Sequence, residues 1–294
     1  MKCLVTGGCG FIGGHLVDEL IVNGNQVIVI DNESAIANKV FYKNPNAEYR
    51  KIDINNYEQI EPLFQDIDTV FHLAAESRIG PCIEDPVLAC KTNVTGTCNV
   101  LQASRKHGVR RVVYSSTSAC YGLTEVVPMH EALPTDNLNP YSTSKLAGED
   151  LCNMFTKLYG LETVSLRYFN VFGERMPETG QYAPVIAIFQ RQIREGKVMT
   201  IVGDGLQKRD FVYVKDVVQA NIKAAQCDSR LCGEAYNVGS GNNISVLQIA
   251  KLLKKDYVHI PAREGEARNT KADISKIAKL GWKPTVDVVD WVKK

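Results

Sequence analysis

Val5-Thr-Gly7-Gly-Cys-Gly10-Phe-Ile-Gly13 decides the fold. Its glycines are spaced Gly-x-x-Gly-x-x-Gly. Residues 2–6 before it read as a strand, and residues 11–22 after it as an amphipathic helix. Glycines so placed permit a tight turn, a close approach of backbone to a pyrophosphate, and close packing of helix on strand. The helix N-terminus then offers free N–H groups to phosphate oxygens. A glycine turn can equally do no more than end a strand. The strand–turn–helix setting is what gives this one its meaning.

Working outward, residues 26–31 (Gln-Val-Ile-Val-Ile-Asp) form a near-continuous apolar run, as a parallel strand buried on both faces requires. Residues 48–53, 69–73 and 111–115 read as further strands, with a helix over 86–107 between the last two. A long helix is expected at 141–159 and a strand at 162–166. This alternation predicts an α/β fold, a doubly wound parallel sheet of Rossmann type. The pattern loosens after Asn170. A stretch with Gly and Pro leads to a helix at 185–195, and a last helix at 273–280 is stopped by Gly281 and Pro284. The expected organisation is a dinucleotide-binding domain over 1–169 and a smaller C-terminal α/β substrate lobe over 170–294, with some segments returning to the sheet.

Asp31 ends the second strand, eighteen residues past Gly13. A carboxylate there accepts hydrogen bonds from both adenosine ribose hydroxyls and repels a 2′-phosphate. No arginine follows within the next few residues, so NAD is favoured over NADP. Asp53, at the expected end of the third strand, has two readings: acceptor from the adenine amino group, or an ordinary strand-end carboxylate.

Tyr141 and Lys145 lie four residues apart on a helix and share one face. Asn139-Pro140 puts the tyrosine at the helix start, where the dipole favours an anion. A tyrosine at its reference pKa of ~10 is a poor base at neutral pH. An ammonium about 4 Å away, at an effective dielectric near 20, is worth at most ~4 kcal/mol, or roughly three pKa units. The spacing therefore predicts a phenolate base near pH 7. A bare Tyr-x-x-x-Lys also arises by chance, as a surface pair. The hydroxyl run Ser115-Ser-Thr117 adds a third element, although a polar strand end can simply cap its own backbone. Thr117 is placed to bond a substrate hydroxyl and relay its proton to Tyr141.

The chain has 294 residues and a formal charge of +1, which points no field toward nucleic acid or membrane. It holds no eighteen-residue apolar run, and the apolar stretch after Met1-Lys2 is too short for a signal peptide. Nine cysteines include no Cys-x-x-Cys, and no His pair stands at zinc-ligand spacing. Cys3, Cys9, Cys90 and Cys98 fall in apolar or small-residue stretches. They are expected to be buried thiols in a reducing cytoplasm, with no metal site.

With these residues in order, the sequence resembles the extended short-chain dehydrogenase/reductases, and within them the UDP-glucose and UDP-N-acetylglucosamine 4-epimerases. The resemblance runs through Thr6–Gly13, Phe71-His-Leu-Ala-Ala75, Thr92-Asn-Val-Thr-Gly96, Ser115-Ser-Thr117, Pro140-Tyr-Ser-Thr-Ser-Lys145, Leu166-Arg-Tyr-Phe-Asn170 and Arg209-Asp-Phe-Val-Tyr213. Gly265-Glu and Ala272-Asp-Ile-Ser-Lys276 extend it nearly to the end. It implies a cofactor site of Gly7, Gly10, Phe11, Ile12, Gly13, Asp31, Asn32, Asp53, Ile54, Leu73, Ala74, Ala75, Asn93, Ser115, Tyr141, Lys145 and Tyr168, with Tyr168 approaching the nicotinamide. It implies a substrate site of Arg78, Thr117, Asn170, Val185, Arg209, Arg263, Arg268 and Thr270. Within that site Asn170 and the arginines at 209, 263 and 268 would hold the diphosphate and uridine, a planar fork matching a phosphate edge.

The implied reaction is 4-epimerisation of a UDP-hexose by a catalytic set of Thr117, Tyr141 and Lys145, in a cytoplasmic homodimer. Three departures from the family pattern stand out: Thr117 for the commoner Ser, Arg78 where small or neutral residues are frequent, and an end at Trp291-Val-Lys-Lys294, a little early. Dehydratases of the family carry Asp-Glu directly after the threonine, and decarboxylases a Glu at the second position; here those positions are Ser118 and Ala119. A non-catalytic NAD-binding regulator would need neither Tyr141 nor Lys145. For the sugar, the resemblance points to Thr270, four after Glu266, where a bulky tyrosine marks members confined to plain hexoses and a small residue those accepting N-acetylated ones. Arg78 suits a carboxylate at the 6-position instead.

Overall fold

A computed structural model describes residues 1–35, 40–179, 183–262 and 267–293. Six strands from the first half, β1 (Lys2–Thr6), β2 (Gln26–Asp31), β3 (Glu48–Lys51), β4 (Thr69–His72), β5 (Arg111–Thr117) and β6 (Glu162–Tyr168), lie in one sheet. A seventh strand, Glu234–Val238, joins its edge from far along the chain. The order is 234–238, β6, β5, β4, β1, β2, β3, every neighbouring pair parallel. Strand order reverses between β1 and β4, and the crevice beyond their carboxyl ends is where such a sheet receives a ligand.

The sheet is buried on both faces because its apolar residues run continuously. On β5, Val113 packs with Val5, Val164 and the helices Phe11–Val22 and Val214–Gln226. Its neighbours Val112 and Tyr114 pack on the opposite face with Leu4, Ile30, Leu101 and Phe155. Each fully buried side chain of this kind is worth ~1.5–3 kcal/mol.

Local chemistry sets the element ends. The helix Pro140–Tyr159 starts where the Asn139 side chain accepts from the Ser142 N–H at 3.0 Å, with Pro140 in its first turn, and stops at left-handed Gly160. It then lies close on β5: a Cβ on Gly148 would stand 2.1 Å from the Tyr114 hydroxyl oxygen. β3 ends two residues before Asp53, because the Asp53 carboxylate accepts from the Asn55 N–H at 2.8 Å and turns the chain. The expected helix over 86–107 is broken by a π-helical turn, Lys91–Gly96, between Pro86–Cys90 and Thr97–Lys106. The last expected helix is shorter, Ser275–Ala278.

The second half builds a smaller core from Phe172, Phe189, Met199, Ile201 and Phe211. Three two-stranded pairs surround it: Asn170–Phe172 with Phe211–Tyr213, Lys208–Arg209 with Ile244–Ser245, and Met199–Val202 with Tyr257–Ile260. The cysteines divide differently from expectation. Cys3 and Cys9 are buried, whereas Cys90 is exposed and Cys98, packed at the edge of the core, is half-buried. Among the described residues no helix is long and apolar enough to cross a membrane.

Candidate active site

A cleft of about 370 Å³ opens at the carboxyl ends of β1, β2, β4 and β5. Gly7, Gly10, Phe11, Ile12 and Gly13 form its floor. Gly7 has φ +71°, and a Cβ there would meet the Ala74 N at 2.7 Å, so the two turns beyond β1 and β4 touch only without a side chain. No side chain caps the helix Phe11–Val22, which leaves its first N–H groups to the cleft.

Asp31 stands at the rim. Its carboxylate accepts from the Cys9 N–H at 2.9 Å and the Glu33 N–H at 2.8 Å, which fixes its plane and leaves lone pairs for a diol. Asn32, Ile54, Leu73, Ala74, Ala75, Ser115 and Tyr168 complete the expected cofactor wall. These residues fit NAD: a side-chain-free turn, free helix N–H groups and a ribose acceptor share one crevice. Asp31→Ala should weaken NAD by about tenfold or more and NADP by less, since a hydrogen bond to a charged group is worth ~1.5–3 kcal/mol. Calorimetric titration of both nucleotides checks this; equal losses would mean the carboxylate only braces the turn.

Two expected cofactor residues do not line the cleft. Asn93 is fully buried on the π-helical turn; its side chain grips the Glu76 N–H (2.8 Å), the Glu76 carbonyl (3.0 Å) and the Ser144 hydroxyl (2.9 Å). It braces the loop after β4 against the helix carrying Tyr141. Asp53 accepts from the Asn32 and Asn55 side chains, and these bonds hold its carboxyl below the ordinary range despite partial burial.

Thr117, Tyr141 and Lys145 line the cleft together. Thr117 Oγ1 accepts from the Ala119 N–H at 3.1 Å, leaving its own proton free to donate. Burial pushes the Tyr141 phenol up to about 12, opposed by its hydrogen bond with Thr117. Burial also brings the Lys145 ammonium down to about 7, with Nζ 4.2 Å from the centre of the Tyr114 ring. Burial alone thus works against the expected phenolate, which needs the positive charges of Lys145 and of a bound nicotinamide ring to offset it.

Several supporting groups were not singled out in the sequence. Asn221 is one: it bonds the expected Tyr168 at 3.0 Å, and Tyr168 in turn bonds Ser115 at 2.9 Å. Ser116 bonds Glu149, which Arg167 grips through Nε (3.0 and 3.2 Å) and Nη2 (2.8 Å); Arg167 Nη1 reaches Tyr121 at 3.0 Å. Glu76, Ser77, Pro177 and Pro184 also line the cleft. Glu149 was readable as a third residue on the Tyr141–Lys145 helix face; the others carry no local signal.

The expected substrate residues separate. Arg78 lines the cleft and donates to the Thr179 carbonyl at 2.7 Å. Val185 begins the helix beside cleft-lining Pro184. Asn170, Arg209 and Thr270 gather around Asp210, and Arg268 lies near them on the chain that pairs with Lys208. Asn170 Nδ2 donates to the Asp210 carbonyl (2.8 Å), and Thr270 Oγ1 accepts from the Asp210 N–H (3.3 Å). The buried Asp210 carboxylate accepts from Ser240, Gly241 and Ala272, tying three loops together. Arg268 pairs with Asp204 at the surface, and Arg209 donates to the Lys208 carbonyl. Thr270 thus accepts a backbone bond at its hydroxyl oxygen, and these four residues are not among those lining the cleft. Arg263 lies outside the described residues. Among the described residues no group of three His, Cys, Asp or Glu side chains could hold a metal ion.

Comparison with known proteins bears on the whole chain. Residues 3–239 match the model of the NAD dependent epimerase/dehydratase family. A putative UDP-glucose 4-epimerase of Methanocaldococcus jannaschii is 38% identical over 300 residues, covering 99% of this chain and 96% of that one. The structure of UDP-glucose 4-epimerase from Thermotoga maritima with UDP-glucose superposes with TM-score 0.94 at 38% identity, covering 100% and 96%. UDP-N-acetylglucosamine 4-epimerase of Methanobrevibacter ruminantium, in complex with UDP-N-acetylmuramic acid, gives 0.93 at 33%, covering 99% and 96%. With the glycine turn, Asp31 and the Tyr141–Lys145 pair in one cleft, the chain belongs to the NAD-dependent epimerase/dehydratase family.

Proposed function

We propose that the chain inverts C4 of a UDP-hexose through a transient 4-keto sugar, using NAD. The observation that carries this is the meeting of Thr117, Tyr141 and Lys145 with the glycine turn and Asp31 in one cleft. NAD supplies a hydride acceptor that returns the hydride, together with a positive ring charge. Tyr141 takes the 4-hydroxyl proton, and Thr117 holds that hydroxyl and passes the proton on. Lys145 favours the phenolate for as long as it keeps its own charge. No second substrate is consumed, and the proton on Tyr141 goes back to the opposite epimer.

Elimination and decarboxylation need a further acid or base beside Thr117. Ser118 and Ala119 occupy that turn and supply none. Tyr141→Phe should leave folding and NAD binding nearly unchanged and lower turnover by at least about a hundredfold. Products from a panel of UDP-sugars, identified by NMR, test the reaction itself. A variant within threefold of the parent would remove Tyr141 as the base.

The proposal extends to a homodimer in the cytoplasm. Met154, Leu158 and Tyr159 are exposed on the helix Pro140–Tyr159, and Ile83, Val87 and Leu88 on the adjoining short helices. A second copy covering these residues would relieve the exposure. Light scattering should give twice the chain mass, and Leu158→Asp with Val87→Asp should halve it. A parent protein of single-chain mass at every concentration would refute the dimer.

A further inference from the structure

At the end of the sheet opposite the cleft, where β5 and β6 begin, Arg111 is 1% exposed. Its Nη1 donates to the carbonyls of Ala224 (3.0 Å) and Cys227 (2.7 Å) and to the Cys227 Sγ (3.3 Å). Its Nε and Nη2 hold Glu162 at 2.9 and 2.5 Å. The helix Val214–Gln226 ends at Cys227, and the single turn Ser229–Leu231 folds the chain back. Two backbone bonds fix that turn, Leu231 N–H to Asp228 at 2.9 Å and Cys232 N–H to Ser229 at 3.1 Å. Cys232 is thereby returned toward Cys227, and the two thiols interact. Both are half-buried, so solvent reaches the pair.

We propose that Cys227 and Cys232 form a dithiol redox site for a low-molecular-weight disulfide, with Cys227 the attacking sulfur and Cys232 the resolving one. The guanidinium and the neighbouring thiol both stabilise a thiolate on Cys227. The neighbouring thiol first and the guanidinium second bring it down below the ordinary thiol range, and Cys232 is pushed up in exchange. Facing Cys227 are Arg111 from β5, Glu162 from β6, and Asp228 and Cys232 from its own turn; the two carboxylates work against the shift and do not reverse it. The other cysteines offer no rival pair. Cys3, Cys9, Cys82, Cys120 and Cys152 are buried and pushed up to about 11 or 12.

The Cys227 thiolate attacks one sulfur of the small disulfide, forms a mixed disulfide and releases one small thiolate. The Cys232 thiol then gives up its proton, and its sulfur displaces the second small thiol from Cys227. Two protein thiols are oxidised, and one small disulfide is reduced to two thiols. The product would join the end of the helix Val214–Gln226 to the start of the edge strand, far from the cleft. This site does not depend on the epimerase reading.

The test treats the full chain with glutathione disulfide at pH 7 and maps the cysteines by mass spectrometry over time. The Cys227–Cys232 disulfide should form at least about tenfold faster than exposed Cys90 gains glutathione. Cys232→Ser should stop with one glutathione on Cys227, and Cys227→Ser should leave Cys232 unmodified. The rate at Cys227 should be half-maximal below the ~8.5 of a free thiol. Modification of Cys90 first, or a Cys232→Ser protein with Cys227 unmodified, would overturn the proposal. So would a parent protein that keeps glutathione on Cys227 without closing the disulfide.

Discussion

Lys145→Met should make the protein more stable and, at the same time, almost inactive. Lys145 is 3% exposed, and burial brings its ammonium from 10.5 to about 7. Its pKa in the folded chain lies below the unfolded value, so the folded state binds fewer protons between pH 7 and 10.5. Its contribution to stability is greatest above the unfolded value and is lost as pH falls toward 7. At neutral pH the cost of burying the charge is fully present, on the order of 5 kcal/mol at 1.36 kcal/mol per pKa unit. Methionine matches the length and carries no charge. The melting temperature at pH 7 should rise by several degrees, at roughly 2–4 °C per kcal/mol for a chain of this size, and the gain should shrink toward pH 10. Turnover should fall by at least about a hundredfold, because Tyr141 loses the cation beside it. Calorimetric scans at pH 7 and 10, read with turnover, decide the matter. A lower melting temperature, or activity within threefold, would show that Lys145 is structural packing.

This opposition of stability and function marks what the sequence can convey. Tyr141, Lys145, Thr117, Asp31 and the glycine turn were legible because their chemistry is local: a spacing of four, a strand end, a glycine triplet. Most of the first six strands were legible because a parallel strand buried on both faces is largely an apolar run; β3, Glu-Tyr-Arg-Lys, is a largely exposed edge strand and is not one. The resting ionisation of Tyr141 and Lys145 was not legible, since desolvation depends on what covers a residue. Nor was the strand Glu234–Val238, whose partner β6 ends sixty-six residues earlier, counting from Tyr168 to Glu234. The π-helical turn Lys91–Gly96 escapes a 3.6-residue periodicity, yet it carries Asn93 to its bonds with Glu76 and Ser144. Asp210 could pass for one charge in a motif; only the fold shows loops 240–241 and 272 hanging from it.

Arg78 should decide how the enzyme treats a carboxylate on the sugar. It lines the cleft with Thr117 and Tyr141, one helical turn before Cys82, which lies near both Tyr141 and Lys145. Its pKa is lowered by desolvation, and among the described residues no carboxylate pairs with it. One N–H is spent on the Thr179 carbonyl, which leaves the rest of the fork to the cleft. A half-buried cation without a counter-ion is costly, and an anionic ligand would offset that cost. In a hexose, C6 hangs from C5 beside the reacting C4, while the diphosphate leaves from C1 across the ring. A guanidinium near Thr117 and Tyr141 therefore meets the C6 group before the diphosphate. Two charge-assisted bonds to a carboxylate are worth about 3 kcal/mol or more, roughly a hundredfold. Arg78→Met should thus lower kcat/KM for UDP-glucuronate by about a hundredfold and change that for UDP-glucose by less than about fivefold. Arg78→Lys should recover part of the first loss, as a point charge without the fork. Initial rates on both sugars with the three proteins settle it: equal losses on the two would make Arg78 a brace for the Thr179 loop, and no turnover of the uronate by the parent protein would rule the carboxylate out.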